Sequence, residues 1–208
     1  MHLKSLRAGP WYKGSIEPRY LFSYPPSLRD ALVTDITLDI FNRHAEKLAM
    51  CNAAQLINNI HTPFLALEDR FTVTLIFHVF DMYKAHRGGY SLRLVADAPS
   101  ISYTYEGKSK TLWGLVGSAS LHQKEKKLVV TVVNSNVTEV HTTEIVLRGA
   151  SARSGRATVL THADIHAHNT FEHPDAVHPT EEPANASGSH FTWAFKLASV
   201  TKLEIELG

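Results

Sequence analysis

Apolar and polar positions follow two different periods along this chain. Between residues 27 and 48, SLRDALVTDITLDIFNRHAEKL, apolar side chains fall at Leu28, Ala31, Leu32, Ile36, Ile40, Phe41, Ala45 and Leu48, mostly three or four apart. That spacing lines one face of an amphipathic helix. Ser27 is placed to cap it with Asp30 in its first turn, and Pro25 and Pro26 prevent an earlier start. Residues 49–61, AMCNAAQLINNIH, form a short apolar run interrupted by Asn52, Gln55 and Asn58, which predicts a buried strand with its loop. A second helix is predicted over 74–89, where Leu75, Phe77, Val79, Phe80, Met82 and Tyr83 are apolar and Gly88-Gly89 end the run.

From Tyr90 onward the pattern alternates. Runs at 91–95, 100–105, 112–121, 127–134, 138–147, 157–161, 191–197 and 200–207 are separated by clusters of Gly, Asn, Ser and Lys. Short strands at this spacing predict an antiparallel sandwich. LVVTVVN (128–134) is apolar on both faces and is expected at the sheet centre, with HQKEKK before it as a charged hairpin turn. Helix, buried strand and helix ahead of residue 89 read instead as βα units of a parallel sheet. A (β/α)8 barrel spends roughly 30 residues on each unit, so residues 1–88 supply only about three and cannot close one. The expected organisation is a barrel fragment over 1–88 and an all-β domain over 89–208. The apolar faces of the first part are expected to lack partners and to lower solubility.

Composition narrows the class without naming a partner. The 208 residues are 44% hydrophobic and 20% charged with a net charge of +1, which predicts no electrostatic pull toward nucleic acid or membranes. The longest apolar runs fall well short of the ~20 residues of a membrane span, and MHLKSLRAGP lacks the apolar segment of a signal peptide. A cytoplasmic location is therefore expected, and the lone Cys51 fits a reducing compartment. The sequons at Asn136 and Asn185 would matter only in a secreted chain.

The least generic stretch is 162–179, HADIHAHNTFEHPDAVHP, whose His, Asn and Asp residues predict an ordered loop with its backbone held by side-chain hydrogen bonds. His162, His166, His168 and His173 raise the question of a metal. Their spacing is not that of a zinc finger or an H-E-x-x-H site, and no metal is expected. The lysine-bearing segments 107–110 and 124–127 read as solvated hairpin turns, diluted by Glu106 and Glu125 and lacking an aromatic platform between the lysines.

Leu160, Thr161, Ala163, Asp164, Ile165, Ala167, His168, Asn169, Thr170, Phe171, Pro174, Val177 and Pro179 follow a pattern known from one enzyme family. The stretch resembles the loop near the end of α-L-arabinofuranosidases of glycoside hydrolase family 51. Further matches are R-D-A-L at 29–32, A-A-Q-x-x-N at 53–58, H-V-F-x-M-Y-K-x-H at 78–86, the V-N that closes 127–134, and L-x-x-S-V-T-x-L-E-I at 197–205. The resemblance covers about residues 9–207 and implies the last βα units of a TIM barrel followed by a jelly-roll β-sandwich.

It also implies a reaction: retaining hydrolysis of terminal non-reducing α-L-arabinofuranosyl residues in arabinan and arabinoxylan, releasing L-arabinose without a cofactor. Arabinofuranosyl-bearing oligosaccharides are the implied ligands, and family members often form homo-oligomers. By the same resemblance Trp11 would line the arabinose pocket and Gln55 would face the sugar. The plainer readings are an aromatic buried in a loop and an amide bonded to a neighbouring backbone group. The family's nucleophilic glutamate falls at the position of Arg7, and its acid/base glutamate belongs to an earlier strand. Retaining hydrolysis needs two carboxyl groups about 5 Å apart, and a permanently protonated arginine can replace neither. The resemblance begins at about Gly9, so a truncated form, inactive alone, is expected. Two other readings stay open: a non-catalytic sandwich module for carbohydrate binding or subunit association, and a fragment that completes the barrel of a full-length homologue.

Overall fold

The structure is a computed structural model that describes residues 25–52 and 55–208. In chain order its elements are α1 (Leu28–Arg43), β1 (Phe64–Leu67), β2 (Arg70–Val73), α2 (Leu75–Tyr83), a 3-10 turn (Lys84–His86), β3 (Tyr90–Leu92), β4 (Ile101–Tyr105), β5 (Lys108–Leu112), β6 (Leu115–His122), β7 (Lys127–Asn134), β8 (His141–Val146), β9 (Ala152–Thr161), β10 (Thr180–Ala184), β11 (His190–Phe195) and β12 (Ser199–Leu207). Six strands form one antiparallel sheet in the order β10-β9-β12-β7-β6-β3.

The two faces of that sheet meet unlike layers. Alternate residues Leu128, Val130 and Val132 of β7 join Leu115, Ala157, Val159, Leu203 and Ile205 in a cluster completed by Phe191 and Phe195 of the β8-β11 pair. This is the interior of a β-sandwich, as expected from the alternating pattern. On the opposite face, Val133, Leu160 and Val200 pack with Leu28, Ala31, Leu32 and Leu38 of α1 and Leu75, Val79 and Met82 of α2. β7 is apolar on both faces because neither face meets water, and it lies in the sheet interior between β12 and β6.

This arrangement corrects the expectation that the helices lack partners within the chain. The sheet is the partner. Uncovered apolar surface remains near β1 and β2, where Met50, Leu56 and Phe71 are 76%, 67% and 58% exposed.

Helix α1 begins where the sequence predicts, because the Asp30 carboxylate accepts from both the Ser27 N–H and the Ser27 hydroxyl, at 2.8 and 3.0 Å. It ends at Arg43, short of the predicted Leu48, since residues 43–47 run off the sheet into solvent. Helix α2 passes into the 3-10 turn, and Gly88 then adopts a φ of 81° that ends it.

Among the described residues of 49–61, which leave out Ala53 and Ala54, the predicted buried strand is not formed. Asn58 and His61 have left-handed φ values of 52° and 55°, which interrupt an extended run, and only an isolated bridge joins Ile57 to Phe64. The Asn58 amide stands in for a strand partner: it donates to the Ala66 carbonyl and accepts from the Ala66 N–H, both at 2.8 Å. The hairpin β1-β2 follows instead. The polar segment 179–189 contains β10, an edge strand whose Pro183 is tolerated because only one side of the strand is paired.

At Gly117 on β6 an added Cβ would lie 2.9 Å from Val132 Cγ2 and closer still to the Thr131 carbonyl oxygen. Gly117→Ala should therefore force β6 and β7 apart and cost about 1–3 kcal/mol. Urea unfolding of the two proteins checks this, and an unchanged midpoint would refute the close approach.

Candidate functional site

Of the residues singled out in the sequence, Arg7 and Trp11 lie outside the described residues. Gln55 is exposed, and its side-chain oxygen accepts from the Asn59 amide rather than from a buried backbone group. Asn52 is exposed as well, and Asn58 serves the strand-like pairing with Ala66. Among the described residues, no three His, Cys, Asp or Glu side chains come together as a metal site would require. Lys108 and Lys110 lie on β5 rather than in the turn expected over 107–110, directly across from Tyr105 and Tyr103 of β4, so the aromatic neighbours missing along the sequence are supplied across the hairpin.

The densest chemistry lies between α1 and the sheet, and the helix pattern hid it. The buried stripe of α1 runs through Leu28, Ala31, Leu32, Asp35, Leu38 and Asp39, whereas Ile40 is 39% exposed. Asp35 and Asp39, at three-to-four spacing from Leu28, Ala31 and Leu32, were the available signal. Both are buried, and Asp39 faces β6 and β7, which present Ser118, Ser120 and Thr131 at alternate positions.

A ring of hydrogen bonds closes around Asp39. Its Oδ1 accepts from Thr131 at 2.5 Å, Ser118 at 2.7 Å and Tyr83 at 3.2 Å. The Asn42 amide donates to Ser118 at 2.9 Å and to Ser120 at 3.2 Å. His86 bridges Ser120 through Nδ1 at 2.9 Å and Thr131 through Nε2 at 3.2 Å. Thr131 spends its proton on Asp39, so it must accept from His86, which assigns the proton of a neutral imidazole to Nε2.

Burial dominates the protonation of this group. It raises the Asp39 carboxyl to about 7 against the pull of Thr131, Ser118, Tyr83 and Arg43. It raises Asp35 well above the carboxylate range, with the Asp39 charge adding to the effect, and both Asp35 oxygens and Asp39 Oδ2 have no hydrogen-bond partner. Burial also lowers His86 to about 4, helped by His122 and Lys202, and raises Tyr83. Asp35, Asp39, Ser118, Ser120 and Thr131 are fully buried, so the cluster can hold protons but cannot reach a substrate.

The open ground on the same sheet face is a cleft of about 270 Å³ lined by Lys127, Ser154, Gly155, Arg156, Glu204 and Glu206. Glu204 and Glu206 lie two apart on β12 and hence on one face. Burial raises the Glu204 carboxyl, but the hydrogen bond and charge of Lys202, with Lys127 and Arg156, outweigh it and hold the carboxyl below its ordinary value. A general acid must keep its proton at working pH, and Glu204 is tuned the opposite way.

The loop 162–179 joins the two layers. Its Ala167 and Ile165 carbonyls accept from the Leu28 and Arg29 N–H groups at the start of α1, at 2.9 and 3.0 Å. Buried Asn169 accepts from the Val177 N–H at 2.8 Å and donates to the Val177 and Val73 carbonyls at 3.1 and 3.2 Å. Arg70 pairs with Glu172 at 3.1 Å and lies 4.9 Å from the Phe171 ring centre. Side chains hold the loop's own backbone too: the Asp164, His166 and His173 N–H groups donate to His162, Asp164 and Thr170.

The family described as the α-L-arabinofuranosidase C-terminal domain matches residues 9–199, which include both layers and this loop. The chain belongs to that family. An intracellular exo-α-L-arabinofuranosidase from Bacteroides ovatus is 26% identical to this family member over 153 residues, 74% of this chain and 29% of that protein. The GH51 arabinofuranosidase from Xanthomonas axonopodis pv. citri superposes with a TM-score of 0.80 at 26% identity, covering 89% of this chain and 37% of that one. The α-L-arabinofuranosidase from Thermotoga maritima, solved with arabinose, shares the fold at a TM-score of 0.78 and 22% identity over 89% of this chain and 39% of that one. This α-L-arabinofuranosidase C-terminal domain thus spans between 29% and 39% of the length of those relatives.

Asn169→Ala should cost about 3 kcal/mol, because it leaves one N–H and two carbonyls without their buried partner. Thermal unfolding measures the loss; a melting temperature within a degree or so of the parent would show that the loop does not hold the layers together.

Proposed function

We propose that this chain supplies the C-terminal part of a family 51 α-L-arabinofuranosidase, with a jelly-roll sandwich over 89–208 and the last βα units of a (β/α)8 barrel over 1–88. The observation that carries the reading is the family match, which spans both helices, the joining loop and every strand of the sheet before β12. The reaction of the whole enzyme is retaining removal of terminal non-reducing α-L-arabinofuranosyl groups from arabinan or arabinoxylan oligosaccharides, in the cytoplasm. Trp11 and Gln55 contact the sugar in that setting, and Arg7 in place of the nucleophilic glutamate leaves these 208 residues without hydrolytic activity of their own. Carboxylates within the chain support this division of labour. Asp35 and Asp39 are sealed beneath α1, and Glu204 is held below its ordinary value. Among the described residues no helix is long and apolar enough to cross a membrane.

A chimaera tests the assignment. The part of the Bacteroides ovatus enzyme that precedes its match, fused to residues 9–208 of this chain, should hydrolyse an aryl α-L-arabinofuranoside, while the 208-residue chain should not. Gln55→Ala and Trp11→Ala in the chimaera should each reduce kcat/KM by about tenfold or more, as expected for loss of one sugar contact. Turnover by the 208-residue chain that disappears on replacing one of its own acidic residues would overturn the proposal.

A further inference from the structure

Two carboxyl groups one helical turn apart, on the same buried face of α1, sit among side chains that offer donors to only one of their four oxygens. Asp39 Oδ1 is satisfied by three hydroxyls; Asp39 Oδ2 and both oxygens of Asp35 have nothing. An ionised carboxylate in that place would cost several kcal/mol, whereas a protonated one would remain neutral. The helix is also unevenly fastened. Its first turn is tied to the loop through Leu28 and Arg29 and packed through Leu28, Ala31 and Leu32, whereas its last two turns combine the apolar contacts of Leu38 and Phe41 with polar bonds to the sheet from Asp39 and Asn42.

We propose that the Asp35–Asp39 pair is a proton latch that keeps the C-terminal half of α1 seated on β6 and β7, and that loss of its proton to water frees this half of the helix while the sheet stays folded. Release would break the Ser118, Thr131 and Tyr83 bonds to Asp39, the Asn42 bonds to Ser118 and Ser120, and the Ser91 hydroxyl bond to the Asn42 carbonyl at 2.7 Å. The N-terminal half of α1 and all of α2 would remain docked.

The charged and titratable groups around the pair fix the pH window. On α1 the only nearby cation acting on Asp39 is Arg43, among the described residues. From α2 comes Tyr83, from the 3-10 turn His86, from β6 His122 beside His86, and from β12 Lys202; β7 and β3 contribute the neutral Thr131 and Ser91. For the two carboxyls the docked pKa lies above the free value of 3.8, so their contribution is complete below that value and is lost as pH rises, through about 7 for Asp39, with Asp35 shifted in the same direction. His86 acts in the opposite sense. Its docked value of about 4 lies below the free 6.5, so its contribution is complete above 6.5 and is lost as pH falls toward 4. The two effects oppose each other below about pH 6.5, and only the carboxyls act above it.

Hydrogen exchange on the full chain, corrected for intrinsic rates, tests the latch between about pH 5 and 7, above the free carboxyl value of 3.8 and up to the docked value of Asp39. Amides in the second half of α1 should open about tenfold more per pH unit, the dependence of one released proton, while those of β7 and β12 keep a flat profile. Asp35→Asn, nearly the same size and uncharged, should flatten the α1 slope. Parallel changes in α1 and the sheet, a pH-independent α1, or an Asp35→Asn slope equal to the parent's would each overturn the latch. Should that variant fail to fold, the contrast between α1 and β7 in the unmodified chain decides alone.

Discussion

β7 from Leu128 to Asn134 and the first half of β12 have no solvent face: one side packs on the β8-β11 pair and the other on α1 and α2. That double burial dictates much else. Strands facing apolar layers on both sides lose the alternation of a half-wet sheet, as LVVTVVN does, and their helices must present a matching stripe. It also explains why the loop 162–179 is rich in short polar side chains. The loop crosses from the sheet edge to the helix layer, where backbone groups cannot all find backbone partners, and Asn169 supplies three of the missing bonds.

The helix–sheet contact is not purely apolar. Leu28, Ala31, Leu32 and Leu38 alternate with Asp35 and Asp39 along the same stripe, opposite Ser118, Ser120 and Thr131. A polar ring inside an apolar contact adds direction, since each hydroxyl has one proton to give and must be matched to an acceptor across the layers. It also makes the contact sensitive to charge. The apolar cover can tolerate small shifts, but an unpaired buried carboxylate cannot be accommodated cheaply.

Much of this architecture was legible in the sequence, for reasons that particular segments make plain. Strand and loop alternated clearly from residue 90, and the hairpin between β6 and β7 was marked by its charged turn. Ser27 and Asp30 announced the start of α1. Three features were hidden. The strand-like run at 49–61 is broken by left-handed Asn58 and His61, which single-residue preferences do not reveal. β10 is polar because it is an exposed edge, so it reads as a loop until its partner β9 is in view. The inward face of α1 was misassigned by about one residue: Ile40 promised burial, and Asp39 received it because β6 and β7 offer hydroxyls there, with Asp35 buried one turn before it. Of the two sugar-contact residues inferred from family resemblance, neither could have been found from periodicity, since Trp11 and Gln55 take their meaning from a motif.

The central claim is that helices and sheet share one cover, so that residues 89–208 depend on those before them. Removing α1 and α2 would uncover Val133, Leu160 and Val200, each fully buried, at roughly 2 kcal/mol apiece. That sum rivals the whole stability of a typical domain, about 5–15 kcal/mol. Urea unfolding of residues 89–208 beside the full chain measures it directly. The account predicts a truncated protein that is unfolded or several kcal/mol less stable, with apolar surface that binds a hydrophobic dye; a truncated protein as stable as the full chain would contradict it.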